Sequence, residues 1–258
     1  MSPPASRRAW LQAGLTAALG LTAEACEKIT QSPAVNHTLD GAETLNRRLH
    51  GLIVGRSALA REYEASAISP DFRANGTTNP DNDDYQKLVA SQFADWRLQI
   101  GGLVEQPLSL SLADLRTAPA RSQITRHDCV EGWSSIAQWR GARLGPLLTR
   151  ARLKPQARYI AFFCADTLEL TLDGTGDYYE TIAIGDAFHP QTILAYEMNS
   201  APLPVAHGAP IRLRLERQLG YKMAKYVMRI EAIDDFAKLG RGNGGYWEDR
   251  GYQWYAGI

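Results

Sequence analysis

Cysteine is scarce in this chain: Cys26, Cys129 and Cys164 are the only three. Three thiols do not make a disulfide framework, so stability has to come from a packed core. Net charge is lacking too. The 28 Lys and Arg residues balance 28 Asp and Glu residues. That balance argues against a general nucleic-acid or anionic-membrane binder and still permits a local basic site. Glycine-rich dinucleotide and phosphate-loop signatures and His-Glu-x-x-His are all absent, which removes the common nucleotide-binding and zinc-peptidase readings. Cys-x-x-Cys-His is missing as well, and with it covalently attached haem. No internal repeat or low-complexity tract occurs.

What is present fits a soluble folded protein. The chain has 258 residues, 45% of them hydrophobic and 22% charged, ample for one large core or two small ones. Ser6-Arg7-Arg8-Ala9-Trp10-Leu11 places a twin arginine before an uncharged stretch from Ala9 to Ala23. Residues 1–30 therefore read as a twin-arginine-type export signal, and the expected location is the periplasm. The stretch is too short, and too rich in Ala, Gly and Thr, for a membrane-spanning helix. Cys26 follows Leu21-Thr22-Ala23-Glu24-Ala25, which weakly resembles a lipoprotein processing site. A lipid anchor at Cys26 and removal of the segment both stay open. Residues 31–67 read as a polar lead-in with a short helix near Glu43 to Leu49.

Residues 68–258 form the expected domain. Ile68 to Asp84 is turn-rich. Tyr85 to Trp96 has helical spacing of Leu88, Val89, Phe93 and Trp96. Short strands are expected at Trp96 to Leu103, over the alternating Leu108, Leu110 and Leu112, and from Ile124 into Cys129. Others are expected at Tyr159 to Phe163, at Leu168, Leu170 and Leu172, at Ile193 to Tyr196, at Ile211 to Leu215 and at Tyr226 to Ile233. Ser111-Leu112-Ala113-Asp114 opens a short helix with a capping box, and Leu144 to Ala151 is a second helix. Many short strands and few helices predict a β-rich α+β single domain.

Four local features could carry chemistry. In Arg126-His127-Asp128-Cys129-Val130-Glu131-Gly132-Trp133-Ser134 a cysteine ends a strand beside two basic residues. Positive charge there would favour the thiolate, the form that ligates soft metals, although a lone cysteine also serves as a small buried residue. From Val205 to Arg229 six basic residues (Arg212, Arg214, Arg217, Lys222, Lys225, Arg229) face one acid, Glu216. That segment is either an anion site or a strand with a solvated arginine face. Asn75-Gly76 is an ordinary turn dipeptide in a loop of unknown purpose. Last, Tyr246, Trp247, Tyr252, Trp254 and Tyr255 surround Arg250, as a pocket wall or as a docked tail. A Cys129–Cys164 bridge stays open.

Together these motifs resemble the molybdopterin domain of the sulfite oxidase family, over about residues 68–258. The similarity is greatest to its exported bacterial members, periplasmic methionine-sulfoxide reductases among them. The family's metal cysteine is followed by Val-Glu-Ala/Gly-Trp-Ser, matched by Cys129-Val130-Glu131-Gly132-Trp133-Ser134. Its phosphate-binding stretch is matched by Gly208-Ala209-Pro210-Ile211-Arg212 and Gly220-Tyr221-Lys222-Met223-Ala224-Lys225. The resemblance implies Mo-molybdopterin as cofactor, with Cys129 as the protein's ligand to molybdenum. Arg212, Lys222 and Lys225 would hold the pterin phosphate, and Met223 and Ala224 would offer backbone contacts. Asn75 and His207 would line the cofactor. Cys164 falls where relatives carry a cofactor-contacting threonine, and His207 where they carry asparagine. Arg250, with Trp247 and Tyr246, is expected at the substrate mouth.

The implied reaction moves an oxygen atom to or from a small molecule of the sulfoxide or N-oxide type. Electrons would pass through a separate partner, a membrane or soluble cytochrome, and a monomer is expected. The Asn-Arg-Arg run that follows the metal cysteine in sulfite oxidases is here Gly-Trp-Ser, which weakens a sulfite dehydrogenase reading. A thiol-redox protein using Cys129 and Cys164, and a non-catalytic anion-binding module, are the alternatives of another class.

Overall fold

Arg97–Gly102 (β1) buries Leu98 and Ile100 and exposes Arg97 and Gln99, the period-two pattern of a strand with one face on a core. The computed structural model describes residues 57–258, together with Leu45 and Gly55. The twin-arginine segment, Cys26 and the helix expected near Glu43 to Leu49 lie outside the described residues, Leu45 apart. A compact unit begins at Val54, ahead of residue 68, because residues 58–69 lie along the domain. Tyr63 donates its amide to Ile124 and Ser69 donates to Ile136, while Gln191 bonds both backbone groups of Ala60.

Asp83–Ala90 (α1) is capped by Asn82, whose side chain accepts the Tyr85 amide at 3.0 Å. The helix ends before Trp96. Gln92 and Phe93 take positive φ values of 51° and 61° and turn the chain into β1. Phe93 still packs on the core, so the helical spacing marked buried positions beyond the helix itself. Leu108–Ser111 (β2) leads into Leu112–Thr117 (α2) through a full capping box between Ser111 and Asp114. The remaining elements are Ala120–Asp128 (β3), Ser134–Arg143 (β4), Leu144–Ala151 (α3), Tyr159–Thr167 (β5), Asp177–Ala183 (β6), Ile184–Ala187 (α4), Ile193–Met198 (β7), Ala201–Pro202 (β8), Arg212–Arg214 (β9) and Val227–Ile233 (β10).

Two sheets result. The first has the order β2-β1-β10-β5-β6, with β1 and β10 parallel and the other pairs antiparallel. The second runs β3-β4-β7-β8, and β9 pairs with β7 as well. The main core joins them: Leu98, Phe162 and Ile230 from the first sheet meet Leu194 and Leu213 from the second, with Leu144, Leu147 and Leu148 of α3. This is the α+β, sheet-rich single domain that the strand pattern predicts.

Two departures matter for the site. Leu168, Leu170 and Leu172 alternate but form no strand. They lie in the loop after β5, and Leu170 and Leu172 are fully exposed. Conversely β6 has no alternation, because both its faces are covered: Glu180 and Thr181 are as buried as Ile182. Residues 244–246 add to its edge, with the Tyr246 amide on the Tyr179 carbonyl at 3.0 Å.

Candidate active site

Cys129 follows β3 and begins a tight turn. Its amide donates to the Trp133 carbonyl at 2.9 Å, and the Gly132 amide donates back to the Cys129 carbonyl at 3.0 Å. The turn needs a left-handed residue, and Gly132 supplies it at φ 85°. Cys129 and Cys164 are both unbridged, and they line different cavities. The two basic neighbours do not favour a thiolate. Arg126 is exposed and bonds Asp128, and His127 is fully buried. Burial pushes the Cys129 thiol up. Burial, followed by Arg214, Arg212, Lys225 and His207, holds His127 far below the ordinary histidine range and hence neutral. Arginine has no acceptor, so the Arg214 Nη1 contact at 3.1 Å makes His127 Nδ1 the acceptor and Nε2 the protonated nitrogen.

The basic segment is buried rather than solvated. Arg212 and Arg214 project from β9 onto the Trp139 ring, at 5.2 and 4.4 Å from its centre, and neither touches solvent. Their environments differ. Arg214 is neutralised by Glu216 at 2.6 Å. Arg212 has only carbonyl partners, His207 at 3.2 Å and Met223 at 3.4 Å, and its Nε has no protein partner. Burial and the Arg214 charge pull it down to about 9. Lys225 likewise bonds carbonyls of Asn75, Thr77 and Ala206, and burial and Arg212 bring it down to about 7. Cations left against carbonyls, without a carboxylate in contact, suit an anion from outside the chain. Lys222 differs: it is sealed between Glu180 and Glu248, each at 2.5 Å.

A cavity of about 440 Å³ opens beside Cys129. Asn75, Gly76 and Thr77 form one side, and Cys129, Val130 and Glu131 another. Tyr221, Met223 and Lys225 come from the turn after β9, and Tyr246, Trp247 and Tyr252 from the C-terminal segment. Six residues spread over the sequence and expected at the site therefore share one cavity: Asn75, Cys129, Met223, Lys225, Tyr246 and Trp247. Arg212 and His207 stand behind Lys225 in the same field of positive charge. Ala224 is buried and its carbonyl is taken by Leu213. Cys164 lines a second cavity of about 450 Å³ with Tyr179 and Arg229. Arg250 stands at the rim, bonded to Glu169 at 2.7 Å and stacked on Tyr246. Asp166, Glu169, Tyr178 and Tyr221 also line the cavity. The motifs give no sign of them, except that Tyr221 lies between Gly220 and Lys222.

His127 Nε2, Arg212 Nε and Asp166 Oδ1, buried near this cavity, have no partner among the described residues. Among the described residues no group of three or more His, Cys, Asp or Glu is arranged to hold a metal alone. A metal at Cys129 thus needs further ligands brought by a cofactor. A pterin dithiolene with a phosphate fits these surroundings: sulfur for the metal, an anion for Arg212 and Lys225, and ring N–H groups for a carboxylate such as Asp166.

Fold and site together define an oxidoreductase that carries molybdopterin. Residues 86–238 match the oxidoreductase molybdopterin binding domain, and the chain belongs to that family. A putative protein-methionine-sulfoxide reductase subunit from Azospira oryzae is 33% identical over 98% of this chain and 88% of its own length. A protein-methionine-sulfoxide reductase catalytic subunit from Xanthomonas axonopodis pv. citri is 33% identical over 64% of this chain. The chain spans 52% of that relative's length. Among solved structures, the sulfane dehydrogenase SoxCD of Paracoccus pantotrophus aligns with a TM-score of 0.48 and 24% identity. The alignment covers 55% of this chain and 39% of that one.

Proposed function

We propose that this chain is the molybdopterin-bearing subunit of an exported sulfoxide reductase, moving an oxygen atom from a small sulfoxide or N-oxide. The observation that carries the reading is Cys129 in the wall of a cavity with an aromatic wall from the C-terminal segment and Lys225 to one side. The methionine-sulfoxide reductase names of the relatives support it. When bound, the cofactor supplies a metal centre that exchanges an oxygen atom and two electrons.

The chain's own residues do the rest. Cys129 would give its thiolate to the metal. Arg212 and Lys225 hold the phosphate, and charge-assisted bonds of this kind contribute about 1.5–3 kcal/mol each. Lys222, fixed by Glu180 and Glu248, sets the turn that presents Met223 to the cavity. Asn75 would line the cofactor with His207 behind it, while Cys164, on β5, lines the second cavity. Tyr221, Tyr246, Trp247 and Tyr252 exclude water and hold the apolar groups of the substrate. Arg250 positions Tyr246.

Sulfite is the poorer substrate on electrostatic grounds. Of the carboxylates lining the cavity, Arg250 pairs Glu169, while Glu131 and Asp166 face the single lining cation Lys225. A dianion meets repulsion there, while a neutral sulfoxide does not. Electrons would arrive from a separate cytochrome-type partner, and the subunit itself would be a monomer. The twin arginine at Arg7 and Arg8 supports a periplasmic location, with a lipid anchor if Cys26 is processed.

The test is elemental analysis of protein made in a host that synthesises molybdopterin, beside Cys129→Ser. Stoichiometric molybdenum in the wild type is expected. The variant should lose the metal's thiolate absorption and its viologen-linked reduction of dimethyl sulfoxide. Folded wild-type protein without molybdenum would sink the proposal, and sulfite-dependent dye reduction in place of sulfoxide reduction would reverse the substrate assignment.

A further inference from the structure

The loop between β5 and β6, residues 168–176, forms part of the cavity rim. Leu168 and Glu169 face the cavity, while Leu170 and Leu172 stand in solvent. Its neck is closed by its own chain. The Leu168 amide donates to the Gly176 carbonyl at 2.9 Å, and the Thr167 hydroxyl to Asp177 at 2.6 Å. A β-carbon at Gly176 would lie 1.7 Å from the Glu169 carbonyl oxygen, so the two arms of the loop cross in close contact. The Gly176 amide also donates to the Thr171 hydroxyl at 2.9 Å. A loop bonded this way moves as a unit about its neck.

Arg250 holds it from the opposite wall, backed by the Tyr246 hydroxyl, which also bonds Glu169. Arg250 donates through Nε and Nη2 to the two Glu169 oxygens, at 3.3 and 2.7 Å, and through Nη2 to the Thr175 carbonyl at 3.4 Å. Its Nη1 donates to the Tyr246 carbonyl at 3.0 Å, and the guanidinium lies 3.5 Å from the centre of the Tyr246 ring. Glu169 and Tyr246 both line the cavity, so this guanidinium spans the rim from the loop to the aromatic wall. The Glu169 side chain is 51% exposed. A pair open to water on one side is weak and is screened by salt, so it is able to open.

We propose that Arg250 and Glu169 form a latch that sets the width of the cavity mouth and thereby the size of substrate admitted. Closed, the latch holds the loop against Tyr246. Open, it lets the loop swing on its neck and widens the gap between Leu168 and Trp247. Arg250 acts through Glu169 as a positioning residue. The size-selection half of the proposal rests on the cavity being the sulfoxide site; the latch itself does not.

The test uses the holoenzyme with Glu169→Gln, Arg250→Gln and the exchanged pair Glu169→Arg with Arg250→Glu. Amide hydrogen exchange reads the loop directly. In the single variants, exchange of residues 168–176 should quicken about tenfold, and it should return toward wild type in the exchanged pair. In parallel, kcat/KM for methyl p-tolyl sulfoxide relative to dimethyl sulfoxide should rise about fivefold, through KM for the larger substrate. Raised ionic strength should shift the wild type in the same direction. Unchanged loop exchange in the single variants overturns the latch, and faster exchange with an unaltered substrate ratio overturns its role in selection. Wild-type enzyme that reduces neither sulfoxide would refute the activity assigned above, while the exchange measurement would still decide the latch.

Discussion

Arg214 donates through Nε and Nη2 to the two carboxylate oxygens of Glu216, at 2.8 and 2.6 Å, with neither side chain in contact with solvent. The same carboxylate accepts the Gln123 amide at 2.8 Å. Removing Glu216 leaves a buried guanidinium unpaired beside Arg212. Glu216→Ala should therefore cost about 3–5 kcal/mol. Chemical denaturation of the cofactor-free protein measures it, and a loss near zero would mean that Arg214 has another anionic partner.

Arg212 should behave in the opposite way. Its charge has no carboxylate in contact and is already resisted by burial and by Arg214. Arg212→Met in the cofactor-free protein is expected to be neutral or slightly stabilising, because the chain loses a cation that it does not itself compensate. In the loaded protein the same change should empty the site. Pterin content, read by fluorescence after oxidation of the cofactor, should fall severalfold. Full pterin content in the variant would remove Arg212 from the phosphate site.

Asp166 gives a pH dependence with a definite sign. Burial, partly offset by Lys225, raises its carboxyl from 3.8 to about 6. The folded state then binds more protons than the unfolded state between those values, so stability falls as pH rises from 3.8 to about 6 and stays lower above it. Lys225 acts in another window. Its folded value of about 7 lies below its ordinary 10.5, so stability recovers as pH rises between the two. Asp166→Asn should abolish the loss on the acid side and stabilise the cofactor-free protein at pH 7 by about 3 kcal/mol. Thermal midpoints of wild type and variant at pH 4 and 7 decide this: the gap should open only at pH 7.

Gly220 lies against the imidazole of His127, where a β-carbon would sit 2.4 Å from Cε1 and Nε2. His127 is itself pinned by Arg214, so it has little freedom to retreat. Gly220→Ala should destabilise by about 1–3 kcal/mol through overpacking. It should also lower molybdenum content, since Tyr221 and Met223 belong to the same turn. Metal content at the wild-type level, with stability unchanged, would show that His127 has another place to go.

Much of this arrangement is legible in the residues alone. The capping box at Ser111, the helix at Leu144–Ala151 and the strand leading into Cys129 follow from local chemistry that later packing leaves alone. The motif around Cys129 and the Gly220-to-Lys225 stretch place the cavity. What escapes is set by contacts far apart in sequence. β6 is hidden because the tail covers one face and the core the other, so no alternation remains to be read. Leu168, Leu170 and Leu172 mimic a strand because alternation does not say which side is solvent. Lys222 and Lys225 look equivalent in sequence, yet one is neutralised by Glu180 and Glu248 and the other faces the cavity. Only the fold brings those two glutamates to one lysine.

The walls of the cavity come from Asn75 to Thr77 at one extreme and from Tyr246 to Tyr252 at the other. The last of these are held by the buried Lys222–Glu248 contact and by pairing with β6. A chain still emerging from the ribosome, with residue 129 already made and residue 252 not, has Cys129 but no chamber around it. Cofactor loading therefore waits for translation past the aromatic tail and for its docking. Because the aromatic tail closes the chamber, docking of that tail and filling of the site become one late event in the life of the fold.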